Sequence, residues 1–144
     1  MLVSIAMRNR GHLMIFLDTC YFENLMNTGE PNHRISLEIQ DYINDSNELT
    51  VINTTVLVET LNRSVKTNTF AERMYRALKS RHCIVPLNKN DYLESLEINR
   101  WFGNSINYSD CTIIHTMMEM NITDIVTFDS DFEKVNGLNI ISAI

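Results

Sequence analysis

The chain predicts an α/β fold, a three-layer α/β/α sandwich around a central parallel sheet, and three observations point there. Short, largely apolar runs recur at Met14–Leu17, Thr50–Asn53, Cys83–Val85, Ile122–Val126 and Leu138–Ile141. Between most of them lie segments with apolar residues at helical spacing. Only four Gly and two Pro punctuate the chain, so the connections are short. Short apolar strands alternating with helices are the pattern of a parallel sheet covered on both faces.

Each element has its own reason. Met14–Leu17 is a buried strand. Cys20–Met26 is a short helix that stops near Asn27-Thr28-Gly29. Arg34–Asn44 places Ile35, Leu37, Ile39, Tyr42 and Ile43 close to helical spacing. Thr50–Asn53 is the second strand, after which Thr54 or Thr55 can cap a helix to about Ser64. Asn68–Lys79 is helical, with Phe70, Met74, Ala77 and Leu78 on one face. Cys83–Val85 is the third strand, ended by Pro86. Lys89–Phe102 is a helix with Tyr92, Leu93, Leu96 and Trp101 among its apolar positions, and Trp101-Phe102 reads as core or a subunit contact. Asn107–Met120 carries Ile113, Ile114, Met117 and Met118. Ile122–Val126 is the fourth strand, Ser130–Val135 a short helix or turn, and Leu138–Ile141 the fifth strand.

A chain of 144 residues, 44% hydrophobic and 21% charged, is one ordinary soluble domain with a real core. Its apolar runs are too short to span a membrane. Residues 1–13 include Arg8, Arg10 and His12, but their apolar part is short, precedes the charges and lacks a small-residue cleavage site. They are expected to be an N-terminal extension of a domain over 14–144, with Met14 a candidate natural start. Mass spectrometry of the natively expressed protein tests this. Cys20, Cys83 and Cys111 are widely spaced, odd in number and without a CxxC pair. That points to a reducing cytoplasm and away from a disulfide framework or structural zinc. Each reads as a small buried apolar residue. The four histidines show no metal-ligand spacing, and the methionines read as core filler.

Acidic residues stand where separate stretches end or begin. Asp18 ends the first strand. Glu59 lies inside Val56-Leu57-Val58-Glu59-Thr60-Leu61, Asp110 opens a helix, and Asp129 and Asp131 follow Ile125-Val126-Thr127-Phe128. Parallel sheets place their sites at the carboxyl ends of their strands, and a helix N-terminus favours a carboxylate. Converging carboxylates repel, by roughly 4 kcal/mol per pair at ~4 Å and an effective dielectric of about 20. A divalent cation, Mg²⁺ or Mn²⁺, offsets that, and with it comes phosphodiester chemistry. Taken singly, each Asp is as well explained as a helix cap or turn former.

The net charge of -6 runs against a nucleic-acid partner, but its distribution does not. From Leu61 to His82 stand Arg63, Lys66, Arg73, Arg76, Lys79 and Arg81, half of the 12 lysines and arginines, with Glu72 the one acid. Such a band either tracks a phosphate backbone or is a solvated helix face.

In four pieces, in order from Met14 to Ile141, the chain resembles the PIN-domain ribonuclease family, and within it the VapC-type toxins of toxin–antitoxin pairs. The pieces are Ile15-Phe16-Leu17-Asp18-Thr19, Thr54-Thr55-Val56-Leu57-Val58-Glu59, Ser109-Asp110-Cys111-Thr112-Ile113 and Thr127-Phe128-Asp129-Ser130-Asp131-Phe132. The resemblance implies that Asp18, Glu59, Asp110 and Asp129 bind one or two divalent metals that activate a water against an RNA phosphodiester. Asp131 is either a further ligand or a cap for the following turn, and Thr19 and Thr127 are auxiliary hydroxyls beside the acids. Arg63, Lys66, Arg73 and Arg76 are candidates for guiding RNA. A homodimer and a small antitoxin are implied as well. Cys20, His115 and Met117 depart from the smaller residues common in the family. Two alternatives stay open: an RNA-processing nuclease outside a toxin–antitoxin pair, and a catalytically silent partner-binding domain.

Overall fold

The computed structural model describes residues 13–144; the expected N-terminal extension lies outside the described residues except for Leu13. In chain order the elements are β1 (Met14–Leu17), α1 (Thr19–Met26), α2 (His33–Asp45), β2 (Leu49–Asn53), α3 (Thr54–Lys66), α4 (Ala71–Arg81), β3 (Cys83–Val85), α5 (Lys89–Trp101), α6 (Tyr108–Met120), β4 (Asp124–Val126), a 3₁₀ turn (Ser130–Lys134) and β5 (Asn139–Ile141). The sheet has the order β3-β2-β1-β4-β5, and every pair is parallel. The α/β fold expected from the sequence is therefore the one observed.

The strand order decides where a site can sit. From β1 the chain winds to β2 and β3 on one side, then returns to place β4 and β5 on the other. The reversal falls between β1 and β4, and a crevice opens at the carboxyl ends of such strands. Phe16 pairs with Ile125 and Leu17 with Val126, so Asp18 and Thr127 emerge side by side.

Ile15, Phe16 and Leu17 are 1% exposed or less. Successive strand residues point to opposite faces, so both faces of β1 are covered. Ile113, Met117, Ile125 and Phe132 extend the same core. Helices pack in two groups: α1 with α2 and α3, and α3 with α4; then α5 with α6. Fully burying one such side chain contributes about 1.5–3 kcal/mol.

Some expectations need correction. Asn53, and neither Thr54 nor Thr55, caps α3, its side chain accepting the Val56 N–H. The helix expected from Asn68 starts at Ala71, because Asn68 takes a left-handed φ of 60°. Phe70 therefore precedes α4 and is 84% exposed, while Met74 and Leu78 do pack. On α5, Tyr92, Leu93, Leu96 and Trp101 are exposed and Ser95 is buried. Trp101 is thus no core residue, because the face that meets α6 is narrower than the apolar periodicity. Cys83 is exposed on the edge strand β3, and Met118 is exposed beside buried Met117.

Candidate active site

Asp18 leaves β1 and caps α1. Its Oδ1 accepts the Thr19 N–H at 2.8 Å, and its Oδ2 accepts the Thr127 hydroxyl at 2.8 Å. Thr127 Oγ1 in turn accepts the Asp129 N–H at 3.0 Å. One buried hydroxyl therefore ties the end of β1 to the segment leaving β4. Asp129 Oδ1 accepts the Asp131 N–H at 2.9 Å and opens the 3₁₀ turn, and Phe132, 1% exposed, pegs that turn into the core.

Asp110 lies in the first turn of α6, and its ligating oxygens come within 4.8 Å of those of Asp129 and Asp131. Burial drives its carboxyl from 3.8 up to about 8, with Asp18, Asp129 and Glu59 adding repulsion. Burial likewise raises Asp18, against the hydrogen bonds from Thr127 and Thr19. Glu59, on α3, is raised by burial and then by Asp18, with Arg63 opposing. The structure thus brings Asp18, Glu59, Asp110, Asp129 and Asp131 to one end of the sheet. Asp131 also pairs with Lys134 at 2.9 Å, so it is held from outside the cluster.

The residues fit a divalent cation. The donors are all hard carboxylate oxygens, the set suited to Mg²⁺ or Mn²⁺. Burial, with their repulsion added, leaves a proton on Asp110 near neutral pH that a cation would displace. Beside Asp18, Thr19 Oγ1 is buried with no hydrogen-bond partner.

Some contributors were invisible to motif reading. Asn53 is fully buried; besides capping α3 it donates to Thr112 O at 3.2 Å and Thr116 Oγ1 at 3.1 Å. Thr55 and Thr112 add a hydroxyl pair at 2.8 Å. These bonds lock the helix carrying Glu59 to the helix carrying Asp110. The Asn at the end of the second strand is a strong N-cap type and was the available signal. Cys20 is the other: its Sγ lies 3.5 Å from Asp18 Oδ2 and accepts the Phe128 N–H at 3.3 Å. Burial pushes its thiol up to about 12, so it stays protonated and faces Asp18 as a donor.

The basic band divides. Arg63 pairs with Glu23 at 3.2 Å, and Arg76 pairs with Glu72 on its own helix. Among the described residues Lys66 and Arg73 form no ion pair. A separate groove of about 450 Å³, lined by Tyr21, Phe22, Leu25, Met26, Met74 and Leu78 among others, includes none of the clustered carboxylates. Holding none of those carboxylates, it does not mark the chemistry.

The PIN-domain family model matches residues 15–138. The fold is similar to that of VapC20 from Mycobacterium tuberculosis, a toxin that cleaves the sarcin–ricin loop, at TM-score 0.71 and 18% identity over 86% of this chain and 96% of that one. A toxin–antitoxin complex from Klebsiella pneumoniae gives 0.68 and 16% over 89% and 96%. VapBC2 from Rickettsia felis, bound to a fragment of its promoter DNA, gives 0.63 and 19% over 90% and 98%. No curated protein matches by sequence.

Proposed function

Because the chain belongs to the PIN-domain family, we propose that it is a divalent-metal-dependent endoribonuclease, the toxin of a type II toxin–antitoxin pair. The observation that carries this reading is the meeting of Asp18, Glu59, Asp110 and Asp129 where the strand order reverses. In this reading those four hold Mg²⁺ or Mn²⁺, and Asp131 joins them or steadies the turn. A bound cation supplies Lewis-acid charge for a phosphate and acidifies a water for attack. The chain's own groups do the rest. The Thr127 hydroxyl and the Cys20 thiol orient Asp18. Asp110 gives up its proton as the cation enters. Thr19 donates its backbone N–H to Asp18 and helps hold that carboxylate, and Lys66 and Arg73, with Arg63 and Arg76 beside them, draw the RNA backbone toward the acids.

The structural relatives include toxin–antitoxin complexes, which supports a small antitoxin partner; a homodimer acting in the cytoplasm completes the proposal. Among the described residues no helix is long and apolar enough to cross a membrane. The test is cleavage of a mixed labelled RNA pool with Mg²⁺ or Mn²⁺. Cleavage that disappears with EDTA and in a folded Asp110→Asn variant is the expected result. Cleavage by that variant equal to wild type would overturn the site assignment.

A further inference from the structure

A second cluster of ligating side chains lies on the α5–α6 hairpin, away from the carboxyl ends of the strands. Asp91 and Glu94 stand three residues apart on α5, and His115 and Glu119 four apart on α6, so each pair shares a helix face. His115 is only 4% exposed. Its Nε2 lies 2.9 Å from Asp91 Oδ1. Asp91 is itself fixed, because its Oδ2 accepts the Asn88 N–H at 2.8 Å in the capping box of α5. A carboxylate acceptor at Nε2 places the ring proton there. Nδ1 then turns a lone pair toward Glu94 Oε2, 3.4 Å away, and makes no hydrogen bond among the described residues. Two acceptors facing one another need positive charge between them, from a second proton on the ring or from a metal ion. The ligand atoms of Glu94, His115 and Glu119 lie within 4.8 Å of one another. Among the described residues no Lys or Arg pairs with Asp91, Glu94 or Glu119; Asp91 accepts the Asn88 N–H and Glu94 the Asn90 amide at 3.2 Å, and the one ionisable group facing them is this imidazole.

We propose that Glu94, His115 Nδ1 and Glu119 bind a divalent transition cation such as Zn²⁺ or Ni²⁺, with Asp91 holding the imidazole from behind. One nitrogen and two carboxylates select a borderline cation over Mg²⁺, which prefers an all-oxygen shell. The carboxylate–histidine–metal arrangement is the usual way a ligating ring is oriented. The exposed carboxylates leave room for water or an external ligand to complete the shell. Bound there, the ion clips α5 to α6 and so braces the helix that carries Asp110.

Co²⁺ titrated into the full-length protein, with Mg²⁺ in excess to compete at the strand ends, tests the site through its visible absorption. The expected result is one equivalent of Co²⁺, retained in Asp129→Asn and weakened roughly tenfold or more in Glu94→Gln and in Glu119→Gln. Both carboxylates are exposed, so folding survives their substitution, as circular dichroism verifies. Zn²⁺ should raise the melting temperature of wild type and not of Glu119→Gln. Equal Co²⁺ affinity in wild type, Glu94→Gln and Glu119→Gln would overturn the proposal, as would no Co²⁺ bound in excess Mg²⁺. Either leaves a protonated His115 as what sits between Asp91 and Glu94.

Discussion

The two acidic clusters are built on opposite plans. At the strand ends, carboxylates arrive from β1, α3, α6 and the segment after β4, and the fold takes Asp18 and Asp110 out of water while Glu59, Asp129 and Asp131 are half-buried. On the hairpin, the carboxylates sit in water and only the imidazole is buried. The consequence is visible in their protons. Burial and crowding push Asp110 up to about 8, whereas Asp91 is held below the usual carboxylate range, first of all by the Asn88 N–H. Desolvation makes the first cluster a charge trap that the fold must offset. Solvent makes the second nearly neutral to stability.

The largest separation between them comes from removing one charge. Asp110→Asn should drop RNA cleavage to the EDTA background while raising the metal-free melting temperature at pH 8, by about 4 °C for each kcal/mol of repulsion relieved. Glu119→Gln should leave both readouts close to wild type when no transition metal is added.

Next is the scaffold of the first cluster. Asn53→Ala removes the α3 cap, leaves the Val56 N–H unpaired and cuts the bonds to Thr112 O and Thr116 Oγ1, at a cost of about 2–4 kcal/mol, read by urea denaturation. If it costs less than about 0.5 kcal/mol, the lock between α3 and α6 is not what holds the acids together.

Changing pH sharpens the contrast without mutation. Asp110 keeps its proton in the folded chain up to about pH 8, against an ordinary value of 3.8 for a free aspartate. Between those values the folded protein binds more protons than the unfolded one, so metal-free stability falls as pH rises through that window. Asp18 and Glu59 shift in the same direction. Metal affinity at the strand ends should rise over the same range, because ligation displaces the proton. Denaturation at pH 5.5 and pH 8, with and without Mg²⁺, checks both signs, and Asp110→Asn should flatten the slope.

The smallest effect lies on the rim. Lys66→Ala with Arg73→Ala should weaken RNA binding several-fold at low salt and reduce its salt dependence by up to about two phosphate contacts. Filter binding over a salt series measures it, and an unchanged slope would remove these cations from the RNA path.

The frame was legible because its strands are short apolar runs with clear ends, and because carboxylates at the ends of parallel strands stand out from the apolar residues before them. Asp18 and Asp129 needed no coordinates to be singled out. Asn53 was harder: its bonds reach residues 59 and 63 positions away, and such contacts leave no periodic trace. Phe70 and Trp101 misled because apolar spacing marks a face without saying whether another element covers it. The His115 cluster stayed hidden because its pairs lie on different helices, each unremarkable alone.

The strand order has one more consequence. Gly103 and Asn104, both at positive φ, form an exposed bend between α5 and α6. A single cut there would leave Asp18 and Glu59 on one fragment and Asp110, Asp129 and Asp131 on the other. Neither piece owns all five carboxylates, and the two are rejoined by the packing of α5 on α6 and by the β1–β4 ladder. Cleavage by the recombined halves would therefore be a binary readout of their reassociation, making this chain a natural split reporter.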